Sequence, residues 1–220
     1  MKIQPTQSTN FKALPIAKAE VIGLEGKYKL FKIMPDDIDY LKNYVKDINL
    51  PEIAEGFSKE EYNNWYNVIE KGLLFSGKEF GREGILCAYN NKPCGVLNYS
   101  IMADKRSSFV NYAATWTSEK GKKVPLANQI MFFKLFRNLS EKGGCNVRLN
   151  ALINSPYCPV MKYKTLGFAS IGSDFDGLEN MKINEPRIIK SLENLAKKIK
   201  LTDISTKEEV NIKKELDLTI

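Results

Sequence analysis

Residues 120–123 read Lys-Gly-Lys-Lys and precede an apolar-faced stretch with helical spacing. A helix N-terminus presents unpaired N–H groups and the positive end of its dipole, which suits an anion such as pyrophosphate. Lys120, Lys122 and Lys123 add charge there, and Gly121 allows the backbone to approach an anion closely. Further along, Tyr163 offers a phenol. With an unperturbed pKa near ~10 it is protonated at neutral pH and is a candidate acid. Glu119 and Asp104 are the carboxylates considered as proton acceptors, although both read as surface charges. Cys158, considered as a covalent carrier, reads as packing.

The chain contains no histidine, which removes Ser-His and Cys-His nucleophile arrangements, histidine zinc sites and histidine bases together. What remains for chemistry is Tyr, Asp/Glu, Cys, Lys and the backbone. At 220 residues, 43% of them hydrophobic, the chain suits one globular domain with extensions. The 33 basic residues outnumber the 26 acidic ones, for a net charge of +7. They are scattered, with no block of five consecutive Lys/Arg, which argues against nucleic acid and for a local patch serving an anionic cofactor. No apolar run reaches the ~20 residues that span a bilayer, and the N-terminus lacks a secretory pattern, so no membrane partner is expected. Cys87, Cys94, Cys145 and Cys158 form no CxxC pair and read as reduced, mostly buried thiols of a cytoplasmic protein.

Several elements would position these groups. Residues 1–25 read as an irregular arm. Lys27–Ile33 alternates with period two, as a half-buried strand does. Pro35-Asp36-Asp37 opens a helix carrying Ile38, Leu41, Val45 and Ile48, and Ser58 with Glu61 makes a capping box for a second. That second helix bears Tyr62, Trp65 and Tyr66, an aromatic face read mainly as core. Residues 84–89 and 94–101 flank Asn90-Asn91-Lys92-Pro93, a hairpin signal. A strand at 109–116 leads through the lysine loop to a helix at about 126–142, with Pro125 at its first position and Gly143-Gly144 as its stop. A strand at 145–153 follows. Asn154-Ser155-Pro156 opens a short helix ending before Gly167, and two strand-like runs lie near 168–172 and 178–183. A last amphipathic helix carries Ile188, Leu192, Leu195 and Ile199, a stripe that must pack on its own domain or on a partner. Beyond Lys200 a frayed, charged tail is expected.

This βαβ order, closed by Tyr163-Lys164-Thr165-Leu166-Gly167-Phe168, resembles the GNAT superfamily of acyl-CoA N-acyltransferases over roughly residues 26–184. The resemblance implies an α/β (α+β) fold with a mixed, mostly antiparallel sheet. Its helices cover both faces, and its parallel pair, 109–116 beside 145–153, splays apart at the centre. The domains implied are an arm (1–25), the acyltransferase domain (26–184), a C-terminal helix (185–200) and a tail (201–220). The implied activity is direct attack of an amine on acetyl-CoA, with Tyr163 protonating the departing thiolate. The backbone of Ala114, Thr115 and Trp116 would pair with the pantetheine arm, which Asn154 would also bind unless it caps the helix. Of the family's phosphate-loop pattern, Gln/Arg-x-x-Gly-x-Gly/Ala, only Gly121 and Ala127 are echoed. In this arrangement the first two helices border the acceptor groove. The alternatives are a catalytically inactive CoA-binding module and a transferase with an acyl-carrier or aminoacyl-tRNA donor. The acceptor, the general base and the oligomeric state stay open.

Overall fold

The computed structural model describes residues 12–48, 58–77, 81–119, 122–155, 158–174, 176–205, 210–211 and 215–216. The chain starts with β1 (Lys12–Val21), β2 (Lys27–Lys32), a 3-10 turn at Pro35–Asp37, α1 (Ile38–Lys46) and α2 (Lys59–Leu74). It continues through β3 (Arg82–Tyr89), β4 (Lys92–Ile101), β5 (Ser107–Thr115), β6 (Thr117–Glu119), β7 (Lys122–Lys123) and α3 (Ala127–Glu141). It closes with β8 (Asn146–Leu152), α4 (Pro159–Thr165), β9 (Ala169–Ser173), β10 (Leu178–Asn184), α5 (Glu185–Ala196), β11 (Ile199–Asp203) and β12 (Val210–Asn211).

One sheet dominates, in the order β11-β1-β2-β3-β4-β5-β8-β10-β9, with β12 also paired to β1. Every neighbouring pair is antiparallel except β5 and β8. Local chemistry explains the joints. Asn90 and Asn91 both hold positive φ (49° and 65°), as the tight turn between β3 and β4 requires. Ser58 Oγ accepts from Glu61 N–H at 3.1 Å while the Glu61 carboxylate accepts from Ser58 N–H at 2.8 Å, so the capping box starts α2 as expected. Consecutive residues of β3 face different cores: Ile85 and Cys87 look toward α3, Leu86 and Ala88 toward α1 and α2. Helices thus cover both faces of the central strands, and the fold is the α/β arrangement expected from the sequence.

The parallel pair is where the sheet opens. β5 and β8 are in register only from Ser107↔Asn146 to Val110↔Leu149. From Asn111 onward β5 keeps its antiparallel partner β4 and has no partner on its other side among the described residues. Two diverging parallel strands leave backbone N–H and C=O groups in need of partners, and a ligand can supply them.

Several expectations are corrected. Residues 12–21 are not an irregular arm but a ten-residue strand inside the sheet. Ala17, Ala19 and Val21 are buried while Lys18 and Glu20 are exposed, and a register shift between Pro15 and Ala17 absorbs the proline. Residues 201–203 are not a frayed tail, and Ile199 is not on the last helix, because α5 ends at Ala196 and β11 pairs with β1 from Val21↔Ile199 to Ala17↔Asp203. The stretch after β5 is not a plain loop but a small hairpin, β6 against β7. Pro125 lies outside α3, whose N-cap is Leu126 in a left-handed conformation, φ 57°. Finally, α4 opens at Pro159 after a left-handed Cys158, φ 47°, so Asn154 does not cap it. Cys158 is exposed rather than packed.

Candidate active site

The Tyr163–Phe168 phrase has a physical explanation. α4 is seven residues long and ends at Gly167, φ 95°. Phe168 N–H donates to the Tyr163 carbonyl at 3.1 Å and Gly167 N–H to the Lys164 carbonyl at 3.0 Å. This pair of bonds is the Schellman cap, and its usual apolar partner contact is present as Tyr163 against Phe168, ring centroids 5.8 Å apart and edge-on. Phe132 of α3 meets the same ring edge-on at 5.7 Å. The cap and the two phenylalanines therefore fix where the phenol points.

It points into the splay. A cavity of ≈ 410 Å³ lies between the free side of β5, the end of β8, α2 and α4. Ala113, Ala114 and Thr115 form one wall, Leu152, Asn154 and Ser155 another, and Lys162 and Tyr163 a third. Among the described residues the Tyr163 hydroxyl has no hydrogen-bond partner. Burial pushes its pKa up to about 12. The phenol is therefore protonated throughout the physiological range and has a hydrogen to donate into the cavity.

A second cavity of ≈ 260 Å³ shares Trp65, Thr115, Asn128 and Lys162 with the first. It runs past the start of α3, where Ala127, Asn128 and Gln129 line it. That helix start has no side-chain cap and no acidic residue in its first turn, so its leading N–H groups are presented to the cavity.

The structure thus brings Ala114, Thr115, Asn154 and Tyr163 to one cavity, with Ala127 beside the adjoining one. Trp116 borders the second cavity but belongs to the core. Its N–H donates to the Cys94 carbonyl at 2.8 Å and its ring nitrogen to Tyr44 Oη at 3.2 Å, so its own N–H has no capacity left for a pantetheine arm. Lys122 and Lys123 form β7, whereas Lys120 and Gly121 lie outside the described residues. Asp104 is excluded as a base at this site. Its carboxylate accepts from the Arg106 and Ser107 N–H groups and the Ser107 hydroxyl at the far end of β5, which holds it below the usual carboxylate range. Glu119 lies on β6.

Of the aromatic trio on α2, Trp65 lines the cavity, Tyr66 donates to the Val45 carbonyl, and Tyr62 is 40% exposed. Sequence reasoning passes over Glu61, Asp176, Asn128 and Lys162 as cavity residues. Glu61 signals only its cap role, and Asp176 sits in a short turn with no periodicity to mark it. Lys162 is the one with a usable signal, since it adjoins Tyr163 on the same short helix.

The raised tyrosines have a consequence for stability. Burial shifts Tyr163, Tyr28, Tyr44 and Tyr99 upward, with Glu83 adding to the shift at Tyr99. A folded-state pKa above the unfolded ~10 means that the unfolded chain releases protons first as pH rises. The stabilisation is complete below pH ~10 and is lost as pH climbs through the folded value, about 12 for Tyr163. Thermal unfolding is expected to be flat from pH 8 to 9.5 and to drop steeply between pH 10 and 12, with Tyr163 alone worth on the order of 3 kcal/mol. An unchanged midpoint at pH 11.5 would contradict this assignment of the tyrosines.

No protein-family model and no curated protein matches the chain in sequence. Its structure does match solved ones. The PaiA N-acetyltransferase of Thermoplasma acidophilum, solved in complex with coenzyme A, superposes with a TM-score of 0.51 at 14% identity, covering 72% of this chain and 99% of that one. The GNAT domain of S. lividans PAT gives 0.50 at 11% identity, covering 73% and 92%. Apo FdhC, a nucleotide-linked sugar GNAT, gives 0.50 at 12% identity, covering 85% and 96%. The chain therefore has the GNAT fold. β1, α5 and β11 lie outside the span over which the sequence resembles that superfamily.

Proposed function

We propose that the protein is an acyl-CoA-dependent N-acyltransferase, with acetyl-CoA as donor and an amine as acceptor. One observation carries the reading: β5 and β8 part beyond Val110 and Leu149, and the cavity opened there has the Tyr163 phenol on its wall. The pantetheine arm would pair with the backbone of Ala113 to Thr115 on the side of β5 away from β4, beside Asn154. The pyrophosphate would lie at the uncapped start of α3, beside Ala127, with Lys122 and Lys123 of β7, and Lys120 before them in sequence, supplying charge.

In the transfer step the neutral amine nitrogen attacks the thioester carbonyl carbon. A C–N bond forms, the C–S bond breaks, and the electron pair leaves on sulfur as a thiolate. Tyr163 donates a hydrogen bond as that charge grows, and the thiolate takes up a proton. The nitrogen sheds its extra proton to water or to a cavity carboxylate, Glu61 or Asp176. No histidine is required.

A second reading, a CoA-binding module without turnover, is favoured by the β6–β7 hairpin standing where the family's phosphate loop would run and by the engaged Trp116 N–H. Calorimetric titration with acetyl-CoA, followed by thiol release on an amine panel, separates the two. Saturable binding with thiol release is expected. Binding without release on any amine favours the module, and absence of binding rejects both.

A further inference from the structure

α3 begins without the usual supports. Its N-cap, Leu126, has no side-chain oxygen to bond the first turn, and its backbone is left-handed, φ 57°. Residues with a Cβ disfavour that conformation, so something outside the helix must hold the corner. Pro125, just before it, has no N–H, which leaves its carbonyl as its one backbone hydrogen-bonding group. That carbonyl accepts from the Tyr28 hydroxyl of β2. No other hydrogen bond among the described residues ties 124–126 to the large sheet.

Tyr28 is a firm anchor. β2 is paired on both sides, to β1 and β3, and Tyr28 is 1% exposed with its ring centroid 4.9 Å from that of Tyr89. Tyr89 is itself tied down, since its hydroxyl donates to the Glu25 carbonyl at 2.7 Å. Burial keeps the Tyr28 phenol protonated, so it has a hydrogen to donate throughout the physiological range. Beyond the corner lies the donor track, the two adjoining cavities that would take pantetheine and pyrophosphate. Leu126, Ala127, Asn128 and Gln129 line its second part, whereas Tyr28 lines neither. Resting on the transferase reading, we infer that Tyr28 is a positioning residue for donor binding: through the Pro125 carbonyl, its hydroxyl holds the left-handed corner that aims the first turn of α3 into the track. Without that bond the corner can relax out of the left-handed region. The donor then binds only the fraction of molecules that still hold it, and apparent affinity falls by that fraction.

Tyr28→Phe removes the hydroxyl and keeps the ring against Tyr89. Calorimetry is expected to show coenzyme A bound roughly 5- to 20-fold more weakly, the scale of one lost hydrogen-bond partner. Pantetheine, which lacks the pyrophosphate, should bind as it does to the native chain. kcat at saturating acetyl-CoA should not change, since Tyr28 lines neither cavity and touches no reacting atom. Hydrogen exchange adds a readout without ligand. The Ile130 N–H, which donates to the Leu126 carbonyl at 2.9 Å, should exchange faster in the variant, while the amides of α5 keep their native rates. Unchanged affinity for coenzyme A, equal weakening of both ligands, or exchange in α5 accelerated as much as at Ile130 would overturn the inference and leave the transferase reading standing. If coenzyme A fails to bind even the native chain, the transferase reading falls and the role of Tyr28 falls with it.

Discussion

Tyr163→Phe is expected to lower kcat for acetyl transfer by roughly 10²–10⁴-fold, the usual worth of a positioned acid, while leaving the dissociation constant of coenzyme A unchanged. The substitution keeps the ring that packs edge-on against Phe132 and Phe168, so the unfolding midpoint should also stay where it is. The loss falls on kcat because the hydroxyl meets charge only as the C–S bond breaks. With its pKa raised to about 12, full proton transfer from Tyr163 to a thiolate of pKa ~8.5 is uphill. Its contribution is therefore a hydrogen bond to the growing charge, with the proton following. Tyr163→Ala tests the structural share separately. Deleting a packed aromatic ring costs about 3–5 kcal/mol at a fully buried site, and this half-buried one should lie at the low end. Full turnover by the Phe variant would end the catalytic reading of this residue.

The second large effect lies far from the cavity. Lys134 on α3 is 7% exposed, and its ammonium meets Asp203 of β11 at 2.6 Å. The other Asp203 oxygen accepts from Arg137 at 2.6 Å, and Arg137 also donates to the Leu201 carbonyl at 2.9 Å. β11 is thus clamped to α3, the helix whose N-terminus borders the donor track. Asp203→Ala leaves a buried ammonium without its carboxylate, so a loss of about 3 kcal/mol is expected in urea unfolding. Pairing it with Lys134→Met should recover most of the loss, because the uncompensated charge is gone. A loss under ~0.5 kcal/mol would mean that β11 is dispensable to the domain.

The two surprises at the sheet's outer edge have the same physical origin. β1 buries Ala17 and Ala19, small residues with weak strand preference, and it carries a proline at a bulge, so its alternation Ala-Lys-Ala-Glu-Val is easily missed. β11 is five residues long and is a strand only because β1 offers it an edge. Elements whose order comes from their own side chains are legible instead: the Asn90-Asn91 turn, the Ser58–Glu61 box, and the α5 stripe in which Ile188 and Leu195 are buried. The splay is legible through the resemblance to a known family rather than through spacing. In the site, Tyr163 and Asn154 stand out because motif and fold order point at them. Glu61 and Asp176 do not, because a cavity gathers residues from separate elements without leaving a pattern in any one of them.

The central claim is that the splay holds the donor thioester, and a crystal structure of the coenzyme A complex tests it most directly. The pantetheine amides are expected to pair with the backbone of Ala113 to Thr115, with the sulfur within hydrogen-bond reach of the Tyr163 hydroxyl. Coenzyme A bound elsewhere, with the gap between β5 and β8 empty or closed, would contradict it.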